Sequence, residues 1–110
     1  MPDATTAKIA ALNDHARQTF GECRVVITQG VSELGKDDVA SILDKVRKYK
    51  DFTPINDPYF EHDFGSIQFG ENTIFWKIDY YDIDLQMHSP DPSDPAVTTR
   101  ILTIMLAEEY

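Results

Sequence analysis

The sequence predicts an α+β domain with helices packed on one face of a small antiparallel sheet, and three observations carry that prediction. Residues 4–20 and 36–50 repeat apolar side chains at helical spacing. Residues 63–81 alternate apolar and polar side chains on either side of Gly70-Glu71, as the arms of a hairpin do. Residues 24–28 form a short β-branched run. The predicted order is α-β-α-β-β-α, a central β-hairpin plus one strand with two or three helices packed on it. A chain of 110 residues fits a single domain, residues 1–110.

In the first helix, Ile9, Leu12, Ala16 and Phe20 make one apolar stripe. Asp3 or Thr5 can cap its start by accepting an otherwise unpaired N–H, and Gly21 suits the left-handed position after its end. Residues 24–28 then read as a buried strand. In the second helix Val39, Ile42, Leu43, Val46 and Tyr49 share a face. Asp37 and Asp38 open that helix, and Lys45, Arg47, Lys48 and Lys50 close it, so both ends complement the helix dipole. That structural role accounts for the basic cluster.

Pro54 and Pro58 forbid a regular helix in residues 51–62. The hairpin follows. Gly70 at the first loop position suits a type II′ turn, which pairs Phe69 with Asn72, Ile67 with Ile74 and Gly65 with Trp76. Ile67, Phe69, Ile74, Trp76, Ile78 and Tyr80 then share one face, with the indole lying over Gly65. Residues 82–95, rich in Asp and Pro, read as a loop. Residues 95–110 fit two patterns. Val97, Thr98, Thr99, Ile101, Thr103 and Ile104 favour a strand, whereas Asp94 as cap, Pro95 at the first helical position and the spacing of Val97, Ile101, Ile104 and Met105 favour a helix. The prediction taken is a helix.

Charge separates the two halves. Residues 1–50 hold eight Lys/Arg against seven acids, and residues 51–110 hold two against twelve, within a net charge of −9. An acidic excess disfavours nucleic-acid backbones and suits a basic partner; it also keeps a protein soluble. The single cysteine, Cys23, rules out an intramolecular disulfide and fits a reducing compartment. The N-terminal residues do not read as a signal peptide, and no apolar run is long enough for a membrane span, so a cytoplasmic protein is expected.

The segments Arg24-Val-Val-Ile-Thr-Gln-Gly-Val, Asn56-Asp-Pro-Tyr-Phe-Glu-His-Asp-Phe-Gly, Phe75-Trp-Lys-Ile-Asp-Tyr-Tyr-Asp and Ser89-Pro-Asp-Pro-Ser-Asp-Pro-Ala-Val-Thr-Thr-Arg-Ile-Leu-Thr-Ile-Met-Leu-Ala resemble the bacterial family catalogued as domain of unknown function 3768. The resemblance runs nearly end to end. It implies a bacterial protein of a kind often carried on plasmids and other mobile elements, and it implies no activity and no catalytic residues.

Function must therefore be argued from side chains. In the predicted register His62 faces Asp79, and Asp82, Asp84 and His88 follow along the same strand. A histidine among carboxylates has the composition of a hard or borderline metal site or of an acid–base pair, and equally of an ordinary cross-strand pair. Ser66, Ser89 and Cys23 lack the surroundings of a nucleophile, and no glycine-rich phosphate loop is present. Tyr59, Phe60, Tyr80 and Tyr81 lie close to the acids in sequence, a mixture common in binding surfaces.

Three readings follow. The first is a protein-binding module that occludes a basic surface of a nucleic-acid-handling partner, in the manner of a phosphate-mimicking inhibitor of the anti-defence or anti-CRISPR kind. Asp57, Glu61, Asp63, Asp79, Tyr81, Asp82 and Asp84 would bind the partner, without direct nucleic-acid binding, membrane contact or a cofactor. The second is a metal-dependent or acid–base enzyme centred on His62 and Asp79. The third is a structural domain that forms a homodimer through the C-terminal helix.

Overall fold

The structure is a computed structural model, and it describes residues 3–110. The first helix, α1, runs Ala4–Thr19, and Asp3 caps it by accepting from the Thr6 N–H at 2.7 Å. Its end differs from the prediction. Phe20, not Gly21, takes the left-handed conformation, at φ 56°, and its N–H donates to the Ala16 carbonyl. The buried stripe is also turned. Ile9, Ala10, Asn13, Ala16 and Arg17 face inward, and Leu12 is left half-exposed. Two polar residues replace an apolar one because both find hydrogen-bond partners inside.

Strand β1, Arg24–Ile27, is an edge strand that alternates exposed and half-buried positions, not the fully buried strand expected. A single helical turn, α2 (Gln29–Ser32), was not anticipated; it buries Val31. Helix α3, Lys36–Arg47, carries Asp37 and Asp38 in its first turn and Lys45 and Arg47 in its last. It stops before Tyr49, whose ring packs edge-on against Phe52 and Trp76.

The hairpin follows the predicted register: β2, Phe64–Phe69, and β3, Asn72–Tyr81, pair Phe69 with Asn72, Ile67 with Ile74 and Gly65 with Trp76. Gly70 has φ 59° and Glu71 stays at negative φ, as a II′ turn requires. Gly65 is required by packing, since a Cβ there would overlap the Trp76 indole.

The C-terminal segment is a strand. Asp94 and Pro95 do start a helical turn, and the Ala96 N–H donates to Asp94 Oδ1 at 2.9 Å, but the turn ends after Val97. Strand β4, Thr99–Leu106, then lies antiparallel to β3 and parallel to β1, which gives a mixed four-stranded sheet of order β1-β4-β3-β2 in place of a three-stranded antiparallel one. The reason is local and tertiary together. The run from Val97 to Ile104 is rich in β-branched residues, and the gap between β1 and β3 offers backbone partners on both sides of a strand. A last turn, Ala107–Glu109, follows β4 and reaches the start of α2. Glu109 accepts from the Thr28 hydroxyl at 2.6 Å and the Gly30 N–H at 3.1 Å.

All three helices lie on one face of the sheet. Val31, Ile42, Val46, Ile74, Trp76, Leu102 and Ile104 are fully buried between the layers, each worth roughly 1.5–3 kcal/mol. The apolar side chains assigned to a C-terminal helix at a dimer contact are thus largely used within the chain. Among the described residues no helix is long and apolar enough to cross a membrane.

Candidate functional site

Register fixes where the loops meet. Phe64 pairs with Lys77, and Tyr81 pairs with Thr99, so residues 51–63 and 82–98 emerge at the same end of the sheet. The six acids of the predicted set stand there or beside it, and they divide by burial.

Asp57 and Glu61 turn inward. Asp57 is only 5% exposed and accepts from the His62 N–H at 3.2 Å. Glu61 accepts from the Tyr80 hydroxyl at 2.8 Å. That hydroxyl also accepts from Asn13 Nδ2 at 2.7 Å, and Asn13 Nδ2 donates to the Glu61 carbonyl at 2.9 Å. Burial pushes the Tyr80 phenol far up, so it remains a neutral donor to the carboxylate. Glu61 holds the 51–63 loop on α1 and β3, Asp57 braces the loop from within through His62, and both are poorly placed to meet a partner.

His62 does not face Asp79. Its backbone takes φ 55°, which breaks the strand register before β2 begins. Its Nδ1 lies 3.0 and 3.1 Å from the two Asp14 oxygens, its Nε2 lies 3.6 Å from Asp57, and its ring stacks on Phe52 at 4.0 Å. Phe60 is also left-handed. Two such non-glycine residues cost about 1–2 kcal/mol each, which the anchoring contacts of Asp57 and Asp14 offset. Asp79 pairs instead with Lys77 at 2.9 Å, and that hydrogen bond raises the lysine pKa. The geometry thus separates the two residues on which a metal or acid–base centre was predicted. Among the described residues no three His, Cys, Asp or Glu side chains are grouped to hold a metal ion.

Asp63, Asp79 and Tyr81 do come together, with Tyr80 and His88, around a cleft of about 290 Å³. Burial raises the Asp63 pKa, and Glu61 adds to the effect. Asp82 and Asp84 sit beyond it on the loop. Asp82 accepts from the Gln86 N–H at 3.0 Å, and Asp84 is exposed. Large apolar side chains stand among these acids: Tyr59 is 78% exposed and Met87 71%, and Ile55, Phe60 and Ile83 are exposed as well.

A family described as "Protein of unknown function (DUF3768)" matches residues 27–109. The chain belongs to that family. The matched span holds Glu61, His62, Tyr80 and Arg100, while Asn13, Asp14 and Arg17 of α1 lie before it. No curated protein and no solved structure matches the chain.

Sequence reasoning missed four residues of one polar network, the buried Asn13, Arg17 and Arg100 and the half-buried Asp14. Arg17 is 2% exposed. Its Nε donates to the Val46 carbonyl (3.1 Å), its Nη2 to the Tyr49 carbonyl (2.9 Å) and its Nη1 to Asp14 Oδ1 (3.0 Å). Arg100 is 4% exposed; its Nε donates to Asn13 Oδ1 at 2.8 Å and its Nη2 to the Pro92 carbonyl. One signal was available for α1. Asn13 and Arg17 are four residues apart and flank the stripe Ile9–Ala16, so a modest rotation of the helix carries both inward. For Arg100, alternation along a strand would have placed it on the face of Leu102 and Ile104.

Proposed function

We propose that the chain is a protein-binding module whose acidic end docks on a basic surface of its partner. The observation that carries this reading is the composition of one end of the sheet. Exposed Ile83 and Met87 share one loop there with Asp82 and Asp84, exposed Tyr59 stands on the other loop at that end, and neither of these aspartates has a Lys or Arg partner among the described ion pairs. Apolar anchors supply contact area that water leaves on binding, and unpaired carboxylates steer a cationic surface toward them. Asp63, Asp79 and Tyr81 line the adjoining cleft. Asp57 and Glu61 act behind this surface by holding its loop.

The exposed carboxylates of the 82–98 loop, beside Asp63 and Asp79, support the narrower reading, an inhibitor that imitates phosphates on a nucleic-acid-handling partner in the bacterial cytoplasm. The test is kinetic. Once the partner is isolated on immobilised protein, the Asp82→Asn/Asp84→Asn variant should associate more slowly at low ionic strength, with the difference closing as salt is added. An unchanged rate with the same salt dependence overturns the electrostatic reading. Met87→Ala should raise the dissociation rate, which locates the apolar anchor separately.

A further inference from the structure

The second buried arginine carries an inference of its own. Arg100 lines a cleft of about 490 Å³ between α1 and the segment that leads into β4, together with Leu12, His15, Ala16, Glu22, Pro95, Ala96 and Thr98. Two of its nitrogens donate to neutral oxygens, those of Asn13 and Pro92. Its Nη1 has no hydrogen-bond partner among the described residues, and no carboxylate lies within ion-pair distance of the guanidinium. The nearby Glu61 carboxylate is engaged by Tyr80.

We propose that this cleft binds a small oxyanion, a carboxylate or a phosphate, on the free side of Arg100. A buried guanidinium stays charged, and a buried charge normally has an opposite charge beside it. Here burial lowers the Arg100 pKa and the chain supplies no neutralising contact, yet the ring of Tyr80, 5.2 Å away, and the Asn13 bond hold the group in one orientation. A planar fork held still, with an unused N–H on a residue that lines a cleft, is the arrangement that binds oxyanions. His15 adds an imidazole at the rim. Two groups weigh on the charge balance. Glu22 on the rim opposes an anion. Cys23, close to Arg100, does not, because burial raises its pKa and keeps the thiol neutral.

The other large clefts lack this combination. The basic one between α3 and β2 has Lys48 paired with Asp44 at 2.9 Å, and the groove on the open sheet face has Lys77 paired with Asp79.

Thermal unfolding and calorimetry with inorganic phosphate, against sodium chloride at matched ionic strength, test the site. Saturable binding and a rise in Tm are expected for the wild type. Arg100→Met should abolish both, and Glu22→Gln should tighten binding about threefold by removing a like charge from the rim. Should Arg100→Met not fold, Ala96→Trp fills the cleft from an exposed position, leaves Arg100 in place and should also abolish binding. An acetate titration distinguishes the two anion classes, since the tighter of the two names the group the cleft prefers. A phosphate effect that is equal in wild type, Arg100→Met and Ala96→Trp overturns the proposal, because it would be the general salting effect on burial. No saturable binding of either anion to the wild type overturns it as well.

Discussion

Arg17 and Arg100 lie at the two ends of one buried polar network and are used differently. At the Arg17 end, every nitrogen of the guanidinium is occupied: two carbonyls at the close of α3 and the Asp14 carboxylate take its donors, and Phe52 and Trp76 lie within 5.3 Å of its centre. At the Arg100 end, Nη1 is left over, and the residue lines a cleft. Both arginines are nearly inaccessible, so burial alone does not separate a structural charge from a functional one. The difference lies in how much hydrogen-bonding capacity the chain consumes. Arg17 is spent on holding α1, α3 and the 51–63 loop together, while Arg100 keeps capacity for something outside the chain.

The largest expected effect tests this directly. Arg17→Leu leaves Asp14 without its arginine and the Tyr49 carbonyl without the guanidinium donor, while the Val46 carbonyl keeps only the Tyr49 N–H at 3.2 Å, and should cost about 3 kcal/mol of stability in urea denaturation. Arg100→Met strands only the Asn13 and Pro92 oxygens and relieves an unneutralised buried charge, so its cost should be about 1 kcal/mol or less. Equal costs for the two variants would break the comparison.

Carboxylates sharpen it at smaller amplitude, through pH. Burial, with Glu61 second, raises the Asp63 pKa in the folded chain. Its protonated form therefore stabilises the fold fully below the unfolded aspartate value of about 3.9, and that contribution is lost as pH rises through the folded value. At neutral pH the ionised group is a cost. Asp63→Asn should accordingly raise Tm at pH 7, and the gain should vanish toward pH 4. No gain at pH 7 would mean that water reaches the carboxylate freely.

Glu109 behaves in the opposite sense. The Thr28 hydroxyl, then the Leu106 and Gly30 N–H groups, donate to it and lower its pKa. Its contribution is present above the unfolded glutamate value of about 4.3 and fades as pH falls through the folded value. Glu109→Gln should lower Tm slightly at pH 7, and the two proteins should converge in acid. A pH-independent difference would show that the bonds depend on the side chain's shape and not on its charge. The carboxylate whose acceptors are filled adds stability at neutral pH; the one left short of donors lies in the cleft at the proposed binding end.

The misplacements have a common cause. The hairpin register extended two residues past the start of β2 sets His62 opposite Asp79, and the left-handed backbone at His62 ends that register. The polar, Pro-rich sequence around Asp57 and Glu61 reads as surface, yet one is buried and the other accepts from a core tyrosine. In both cases the deciding partners, Asp14 for the imidazole ring and Asn13 within the tyrosine bond, sit on α1, about fifty residues or more away.

The α+β class, the hairpin with its Gly70 turn and Gly65–Trp76 pairing, the Asp3 cap of α1 and the concentration of acids after residue 50 follow from the sequence alone. They rest on contacts between near neighbours or on a strict period of two, and a short window records both. The strand at Thr99–Leu106, its place between β1 and β3, the inward turn of Asn13 and Arg17 and the half-satisfied Arg100 were decided only by tertiary structure. A segment that fits two periods takes the one that fills its backbone hydrogen bonds, and a polar side chain goes inside only where distant residues supply its partners.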